Sequence, residues 1–301
     1  MPSAALPAAL TRGPFSVADA LRLGVPPSRL RRVDLVAPTR GVRAKDAPAS
    51  LVERARAMAV GMPADAALSH VTAAMLIGVP LPARVEDPGA PLDVIRASAR
   101  TRVRRRGCVG HRGLEAREVQ LVHGLRVTSS ADTWVDLGEV LDRGIGLDDL
   151  VVAGDFVATT LGALEPLRAA LARRVRPRGG RALAASLLEV RPGARSPMET
   201  RARLMFTRAG APAPEVNAAV TDRHGGWLLE GDLVWRRQRV IVEYQGAVHA
   251  PIEHRSRDAQ RRELAADEGW RVIEVFKEDV FHPGRRHTCI GRLLRAVADG
   301  P

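Results

Sequence analysis

The stretch Glu230–Gly246 reads EGDLVWRRQRVIVEYQG, two short apolar runs separated by four polar residues. Such a pattern predicts a β-hairpin with a four-residue loop. The register that follows places Trp235 opposite Val240 and, three pairs further from the loop, Asp232 opposite Glu243. Two carboxylates in that position repel each other at a Cβ separation of about 5 Å unless a cation lies between them. The hairpin therefore predicts a site for a divalent metal ion.

The alternation of side chains along a strand adds a third polar group to this site. Glu243 and Gln245 point to one face of the sheet, while Tyr244 points to the other. An aspartate followed after about ten residues by Glu-x-Gln at the end of a strand resembles the PD-(D/E)XK nuclease superfamily. In particular, it resembles the domain family of unknown function related to very-short-patch-repair endonucleases.

This resemblance implies that Asp232, Glu243 and Gln245 form a catalytic set. In the family the aspartate and the glutamate hold Mg²⁺, and the last position, usually lysine, helps to orient or activate water. Mg²⁺ or Mn²⁺ is therefore the implied cofactor. Gln245 departs from the pattern, because an amide has neither the charge nor the proton chemistry of lysine. From the residues alone, the alternative is a pair of strand-end acids that face solvent.

The segment Ser196–Glu199 opens the part of the chain that resembles the nuclease family, which runs to His282. Serine at the N-cap, proline at the first helical position and glutamate at the third form a capping box. Nuclease relatives often place a further acidic residue on this first helix, facing the metal. Glu199 is therefore both a capping residue and a candidate metal ligand, and the two roles stay open.

Further candidate residues follow the hairpin. His249 matches the last position of the family's Y-x-G-x-x-H ending. A helix predicted over roughly residues 253–268 carries Arg255 and Arg262 on nearby turns. These two arginines are candidate DNA-binding residues, and a solvated basic helix face is the alternative.

The element order predicted for residues 191–301 is α-β-β-β-α-β, which resembles the restriction-endonuclease-like core. In that core helices flank a mixed sheet. The predicted fold class for the whole chain is α/β, or α+β overall, in three parts. These parts are a winged helix-turn-helix over residues 1–45, a mixed α/β middle region over 46–190 and the endonuclease-like domain over 191–301.

Residues 15–43 contain two short predicted helices, joined by Gly24 and two prolines, and then a turn at Thr39-Arg40-Gly41. This is the pattern of a helix-turn-helix followed by a wing. It resembles the N-terminal winged helix of AbiEi-type abortive-infection antitoxins, which implies contact with DNA. A small helical hairpin with a solvated basic face is the alternative. The candidate DNA-binding residues on the second helix and the wing are Arg29, Arg31, Arg32 and Arg40.

The middle region continues this resemblance through the run SHVTAAMLIGVP, which begins at Ser69. His70 in this run is predicted to be structural, because no second metal ligand stands three or four positions later. Residues 100–112 then contain six arginines and no acidic residue. Such a cluster is a candidate phosphate-contact patch, with a solvated loop as the alternative.

The formal net charge of +12 favours a polyanionic partner, most simply nucleic acid. Double-stranded DNA is favoured over single strands, because only 3% of the residues are aromatic and base stacking needs aromatic side chains. An arginine-rich composition written by a GC-rich genome is an alternative source of this charge. Two distant cysteines, the lack of a leader pattern and the lack of a long apolar run predict a cytoplasmic protein without a membrane span.

Together these features predict a DNA-binding protein with a Mg²⁺-dependent endonuclease-like domain, a hydrolase of phosphodiester bonds that serves in phage defence. The alternative is a transcriptional regulator or antitoxin-like DNA-binding protein whose nuclease-like domain is inactive. In both cases a toxin or another protein of a defence system is a candidate partner.

Overall fold

The computed structural model describes residues 5–246 and 261–299. The chain divides into two units, the first made of Met1–Gly146 with Leu167–Leu183 and the second of Leu147–Pro166 with Ala184–Pro301. Helices occur together with antiparallel and mixed sheets in the described residues, which confirms the predicted α+β class.

The strands, in chain order, are β1 (Phe15–Ser16), β2 (Val42–Arg43), β3 (Ala67–Leu68), β4 (Leu92–Arg96), β5 (Cys108–Arg112), β6 (Val119–Val122), β7 (Leu125–Thr128), β8 (Glu215–Thr221), β9 (Trp227–Trp235), β10 (Val240–Gln245) and β11 (Arg271–Phe276). In the first unit β1 pairs with β2, and a five-stranded sheet has the order β5-β4-β3-β7-β6. In the second unit a four-stranded sheet has the order β11-β10-β9-β8.

The helices, in chain order, are α1 (Val17–Arg22), α2 (Leu51–Val60), α3 (His70–Ile77), α4 (Ser130–Gly138), α5 (Leu147–Leu161), α6 (Glu165–Ala172), α7 (Gly180–Glu189), α8 (Pro197–Arg208), α9 (described over 261–267), α10 (Lys277–Phe281) and α11 (Pro283–Ala298). None of the described helices is by itself long and apolar enough to cross a membrane, and α5 and α6 meet that requirement only when counted together.

The N-terminal segment departs from the predicted helix-turn-helix. Ser16 caps α1, the first of the two predicted helices, but Arg29–Arg31 form a single 3-10 turn where a second α-helix was expected. Arg29 and Leu30 are both buried in this turn. A buried guanidinium is tolerated only when it has a charged partner. The guanidinium of Arg29 donates two hydrogen bonds, of 3.0 and 2.7 Å, to the carboxylate of Asp34. The turn after Thr39 agrees with the prediction, since the Val42 N–H donates to the Thr39 carbonyl.

The second unit follows the predicted element order α-β-β-β-α-β with α8, β8, β9, β10, α9 and β11. The hairpin register is also as predicted, with Trp235 opposite Val240 and two further pairs towards the strand ends. Strand β11 adds to β10 in parallel, which makes the sheet mixed.

Both faces of this sheet are covered, as the alternation of its side chains requires. Val240 and Val242 pack on one face against residues of α8 and α11. Ile241 packs on the other face with Ala265 of α9 and Trp270. Beyond Val242 the pattern changes from apolar to polar, and the polar end of β10 forms the candidate site.

Candidate acidic site

A row of polar residues crosses the four strands of the second unit at one level. Glu243 of β10 is paired in register with Glu274 of β11. Continuing the β9–β10 register by one pair places Asp232 opposite Glu243. Asn217 of β8 lies between the pairs Val216–Leu233 and Ala218–Gly231, which places it opposite Asp232. Strand register thus brings together two predicted site residues and two that the sequence prediction omitted.

The predicted catalytic set lines one cavity. Asp232, Glu243 and Gln245 line a cavity of 340 Å³ together with Arg261 and Arg262, among other residues. The structure therefore brings together the three residues that the hairpin predicted. Arg262, predicted as a DNA-binding residue, belongs to the same cavity wall.

The carboxyl group of Asp232 has an unusual pKa. Burial raises this pKa to about 6, and the charges of Glu199 and Glu230 act in the same direction. A hydrogen bond from the Tyr244 N–H and the charge of Arg195 act against the rise. The direction agrees with the prediction from opposed carboxylates, but the leading cause is burial, and the carboxylate that raises the Asp232 pKa most is that of Glu199.

Glu199 combines the capping role with a place beside Asp232. Its backbone N–H donates to the Ser196 hydroxyl over 3.2 Å, which is one half of the predicted capping box, whereas the return bond from the Ser196 N–H to the Glu199 carboxylate is replaced by one from Arg195. Its carboxylate accepts from the N–H of Arg195 over 2.8 Å and from Nδ2 of Asn217 over 2.7 Å. Asn217 adopts a positive φ of 48°, which helps to bring its amide to this position. Glu199 is thus held by neutral donors, and its charge stays available to act on Asp232.

Glu243 and Glu274 share a different set of contacts. The guanidinium of Arg262 lies between them, 3.4 Å from Glu243 and 2.5 Å from Glu274. The amide nitrogen of Gln245 is 3.4 Å from each carboxylate. Arg262 therefore offsets part of the negative charge on the β10–β11 side of the row, whereas the pKa of Asp232 stays raised on the β9 side.

The residues of this cavity fit a hard divalent cation. Mg²⁺ in proteins is commonly held by one or two carboxylates and keeps several water molecules. Asp232 and Glu243 supply two carboxylates in one cavity. Within residues 5–246 and 261–299 no three His, Cys, Asp or Glu side chains are grouped as a complete metal site. A cation at this position would therefore complete its coordination with water or with substrate oxygens.

The remaining predicted DNA-binding residues and His249 are not among the residues that line this cavity, or they lie outside the described residues. Arg31, Arg32 and Arg40 are exposed, as expected for DNA contact. Arg29 was predicted to lie on an exposed face, which is wrong, because it is 7% exposed and bound to Asp34. His249 and Arg255 lie outside the described residues.

The fold and the site define a mixed α/β protein with an acidic cavity at one level of its second sheet. The chain is 32% identical over 198 residues to two proteins of Mycobacterium tuberculosis, "Uncharacterized protein MT2308" of strain CDC 1551 / Oshkosh and "Uncharacterized protein Rv2248" of strain ATCC 25618 / H37Rv. The match covers 64% of this chain and 71% of each relative. The chain belongs to the family of these two proteins. No family model and no solved structure matches it.

Proposed function

We propose that this protein is a DNA-binding, Mg²⁺-dependent endonuclease that hydrolyses phosphodiester bonds. The observation that carries this proposal is the shared cavity of Asp232, Glu243 and Gln245, flanked by Arg261 and Arg262. Carboxylates beside guanidinium groups suit a phosphodiester substrate, because the acids can bind a cation while the arginines bind the phosphate.

Each residue of the cavity has a separate role in this proposal. Asp232 and Glu243 would hold Mg²⁺ or Mn²⁺, which as a Lewis acid stabilises negative charge on the phosphate oxygens. Gln245 orients water through its amide, since it has no proton to exchange near neutral pH. Arg262 contacts both Glu243 and Glu274 and has further N–H groups with which to bind a phosphate. Exposed Arg31, by contrast, belongs to the surface proposed for duplex binding.

The second candidate function is a transcriptional regulator or antitoxin-like protein with an inactive nuclease-like domain. The position of Arg262 favours it, because this guanidinium already offsets part of the charge of Glu243 and Glu274 from within the chain. Gln245 favours it too, since the amide replaces the lysine of the nuclease pattern. In this case duplex binding would persist without cleavage.

A nicking assay separates the two functions. Purified protein would be incubated with supercoiled plasmid and Mg²⁺, Mn²⁺ or EDTA, in parallel with footprinting of its own promoter. We expect metal-dependent nicking by the wild type and none by Asp232→Asn. Asp267→Asn is the matched control, because Asp267 is exposed, lies outside the cavity and loses the same charge. Protection of the promoter without nicking of the plasmid would contradict the endonuclease proposal and favour the transcriptional regulator.

A further inference from the structure

A second polar cavity lies within the first unit and shares no residue with the acidic cavity. It measures 630 Å³, and its lining includes His70, His111, Arg102, Arg112, Arg143 and Arg178. Cavities of about 300–1,000 Å³ are typical of small-molecule sites, so this one has room for a nucleotide-sized ligand. An adjoining cavity of 700 Å³ shares Arg102 and Arg112 with it.

Two stacked imidazoles form part of the cavity lining. The rings of His70 and His111 lie 3.7 Å apart at an interplanar angle of 19°. Nε2 of His111 is 2.8 Å from Oδ1 of Asp93, which is buried and also binds Arg143 over 2.9 Å. Burial lowers the pKa of His111 in spite of the hydrogen bond to Asp93. The imidazole of His111 is thus fixed in position by the protein itself.

His70, in contrast, has a ring nitrogen left without a hydrogen bond. Its Nδ1 is 2.8 Å from the Ser69 hydroxyl, whereas Nε2 has no hydrogen-bond partner in the described residues. The nearest carboxylate oxygen to Nε2, on Glu139, is 3.7 Å away, which is too long for a hydrogen bond. His70 is only 1% exposed, so bulk water does not compensate this group. A buried polar atom without a hydrogen-bond partner is uncommon in folded proteins, and a ligand in this cavity would supply the partner that Nε2 lacks.

The charges around the cavity define the ligand. Asp93 offsets Arg143, and Asp142 lies 3.1 Å from Arg178. Glu139, the other acid of the lining, is bound by Arg117 over 2.9 Å. Arg102 and Arg112 are exposed, and neither has an acidic partner in the part of the chain that the structure describes. Two guanidinium charges therefore remain uncompensated at one cavity. A phosphate monoester carries a charge of about −1.5 to −2 near neutral pH and matches them.

We propose that this cavity binds a phosphate monoester, supplied by a free nucleotide or by the end of a nucleic-acid strand. Arg102 and Arg112 bind the phosphate oxygens, for which the forked guanidinium is well shaped. Nε2 of His70 donates a hydrogen bond to the ligand when the Ser69 hydroxyl donates to Nδ1, since the neutral imidazole then carries its proton on Nε2. An internal phosphodiester, with a single charge, leaves one of the two arginines unmatched.

The test uses the full chain and calorimetric titration with inorganic phosphate, adenosine monophosphate and adenosine. We expect the two phosphate-bearing probes to bind and adenosine to bind at least about tenfold more weakly, because it lacks the charged hydrogen bonds. In protein with labelled histidine, Nε2 of His70 should change its chemical shift on addition of adenosine monophosphate. The lack of any phosphate-dependent binding would overturn the proposal.

Paired arginine variants locate the site. Arg102→Gln combined with Arg112→Gln should weaken adenosine monophosphate binding by about a hundredfold, which corresponds to about tenfold for each guanidinium that no longer binds the phosphate. The matched control is Arg181→Gln combined with Arg237→Gln, which removes the same charge from exposed positions outside this cavity and outside the arginine cluster of residues 100–112. All four side chains are exposed, so folding should be preserved. Equal weakening in the control would mean a general charge effect and would also overturn the proposal.

Two duplexes identify the source of the phosphate. One carries a 5′-phosphate and the other, of the same sequence, a 5′-hydroxyl. Tighter binding of the phosphorylated duplex that disappears in the Arg102 and Arg112 variant would identify a strand end as the ligand. Equal binding of the duplexes, with adenosine monophosphate still bound, would identify a free nucleotide. A third outcome would contradict a monoester site. In it, the Arg102 and Arg112 variant loses binding of both duplexes equally, and the wild type does not bind adenosine monophosphate.

Discussion

The backbone N–H of Tyr244 donates a hydrogen bond to Oδ2 of Asp232 over 2.6 Å, so the carboxylate of β9 is bound to the main chain of β10. This bond favours the ionised form of Asp232, whereas burial favours the neutral form and prevails. The orientation of the carboxyl group is therefore fixed, while its charge depends on pH and on any nearby cation.

The first prediction concerns stability and pH. The folded-state pKa of Asp232, about 6, lies above its ordinary value of 3.8, so the folded chain holds this proton more tightly than the unfolded chain. The contribution of Asp232 to the free energy of unfolding therefore falls as pH rises from about 4 to about 6, and it stays low at higher pH. Urea titrations measure the free energy of unfolding of the wild type and of Asp232→Asn. Over this pH window the wild type should lose stability relative to the variant. A difference that is constant with pH would contradict the raised pKa.

The second prediction concerns metal binding near neutral pH. A cation that binds only the folded chain at about 100 times its Kd adds roughly 2.7 kcal/mol to the free energy of unfolding. We expect Mg²⁺ or Mn²⁺ to raise the Tm of the wild type and of Asp267→Asn, and to have little effect on Asp232→Asn. The response should weaken below pH 6, because protons compete for the Asp232 carboxylate. If metal leaves the Tm of each of the three proteins unchanged, Asp232 and Glu243 do not form a metal site.

The third prediction separates the two roles of Glu199. Glu199→Gln keeps an oxygen that can accept from the Arg195 N–H and from Asn217, so the Tm should change little. The substitution removes a charge that raises the pKa of Asp232. We expect carboxyl-detected NMR titration to show the Asp232 pKa shifted towards its ordinary value. An unchanged pKa together with a lower Tm would make Glu199 a capping residue alone, and a large loss of nicking at constant Tm would place its carboxylate in the metal site.

The fourth prediction concerns a buried ion pair that fixes α8. Asp155 of α5 accepts from Nη2 of Arg203 over 2.8 Å and from the hydroxyl of Thr200 over 2.8 Å. Both charged side chains are nearly inaccessible. Arg203→Met should therefore destabilise the chain by about 3–5 kcal/mol, because it leaves a buried carboxylate without its cation. Arg208→Met, which breaks surface ion pairs with Glu189 and Asp148, should cost about 1 kcal/mol or less for each pair. Chemical denaturation measures both losses of unfolding free energy. If Arg203→Met and Arg208→Met lose the same amount, the buried pair of Asp155 and Arg203 stabilises the chain no more than a surface ion pair does.

The fifth prediction concerns the N-terminal arginines and follows from the burial of Arg29. Arg31→Ala with Arg32→Ala should weaken duplex binding and reduce the slope of log affinity against log salt by about one for each arginine that no longer binds a phosphate. Arg29→Ala should instead lower the Tm, since it leaves a cavity and frees Asp34. Fluorescence anisotropy at several salt concentrations measures the slope. An unchanged slope in the double variant would remove this surface from the DNA interface.

Local patterns allowed the hairpin and the element order from α8 to β11 to be predicted from the sequence. A four-residue loop between apolar runs fixes the register of β9 and β10, and a period of two then fixes the face on which Asp232, Glu243 and Gln245 lie. Helix α7 was not predicted, because it begins at Gly180 directly after Gly179 and glycine is unfavourable in helices.

The features that the sequence did not predict depend on distant contacts. Glu274 joins the polar row through parallel pairing with Glu243, 31 positions earlier in the chain. The stack of His70 on His111 joins α3 to β5, and no local spacing relates these two residues. Arg29 would be expected at the surface by its charge, and only the contact with Asp34 and the packing of Leu30 make its burial favourable.

The parallel pairing of β10 with β11 also has a consequence for the order in which the site is assembled during translation. Asp232 and Glu243 lie on strands that leave the ribosome before Arg271–Phe276. Until β11 has been synthesised and paired, β10 is an edge strand and Glu243 lacks its neighbour Glu274. A nascent chain that ends before β11 therefore carries the acidic pair without the finished row, so the site becomes complete only after Phe276 has emerged from the ribosome.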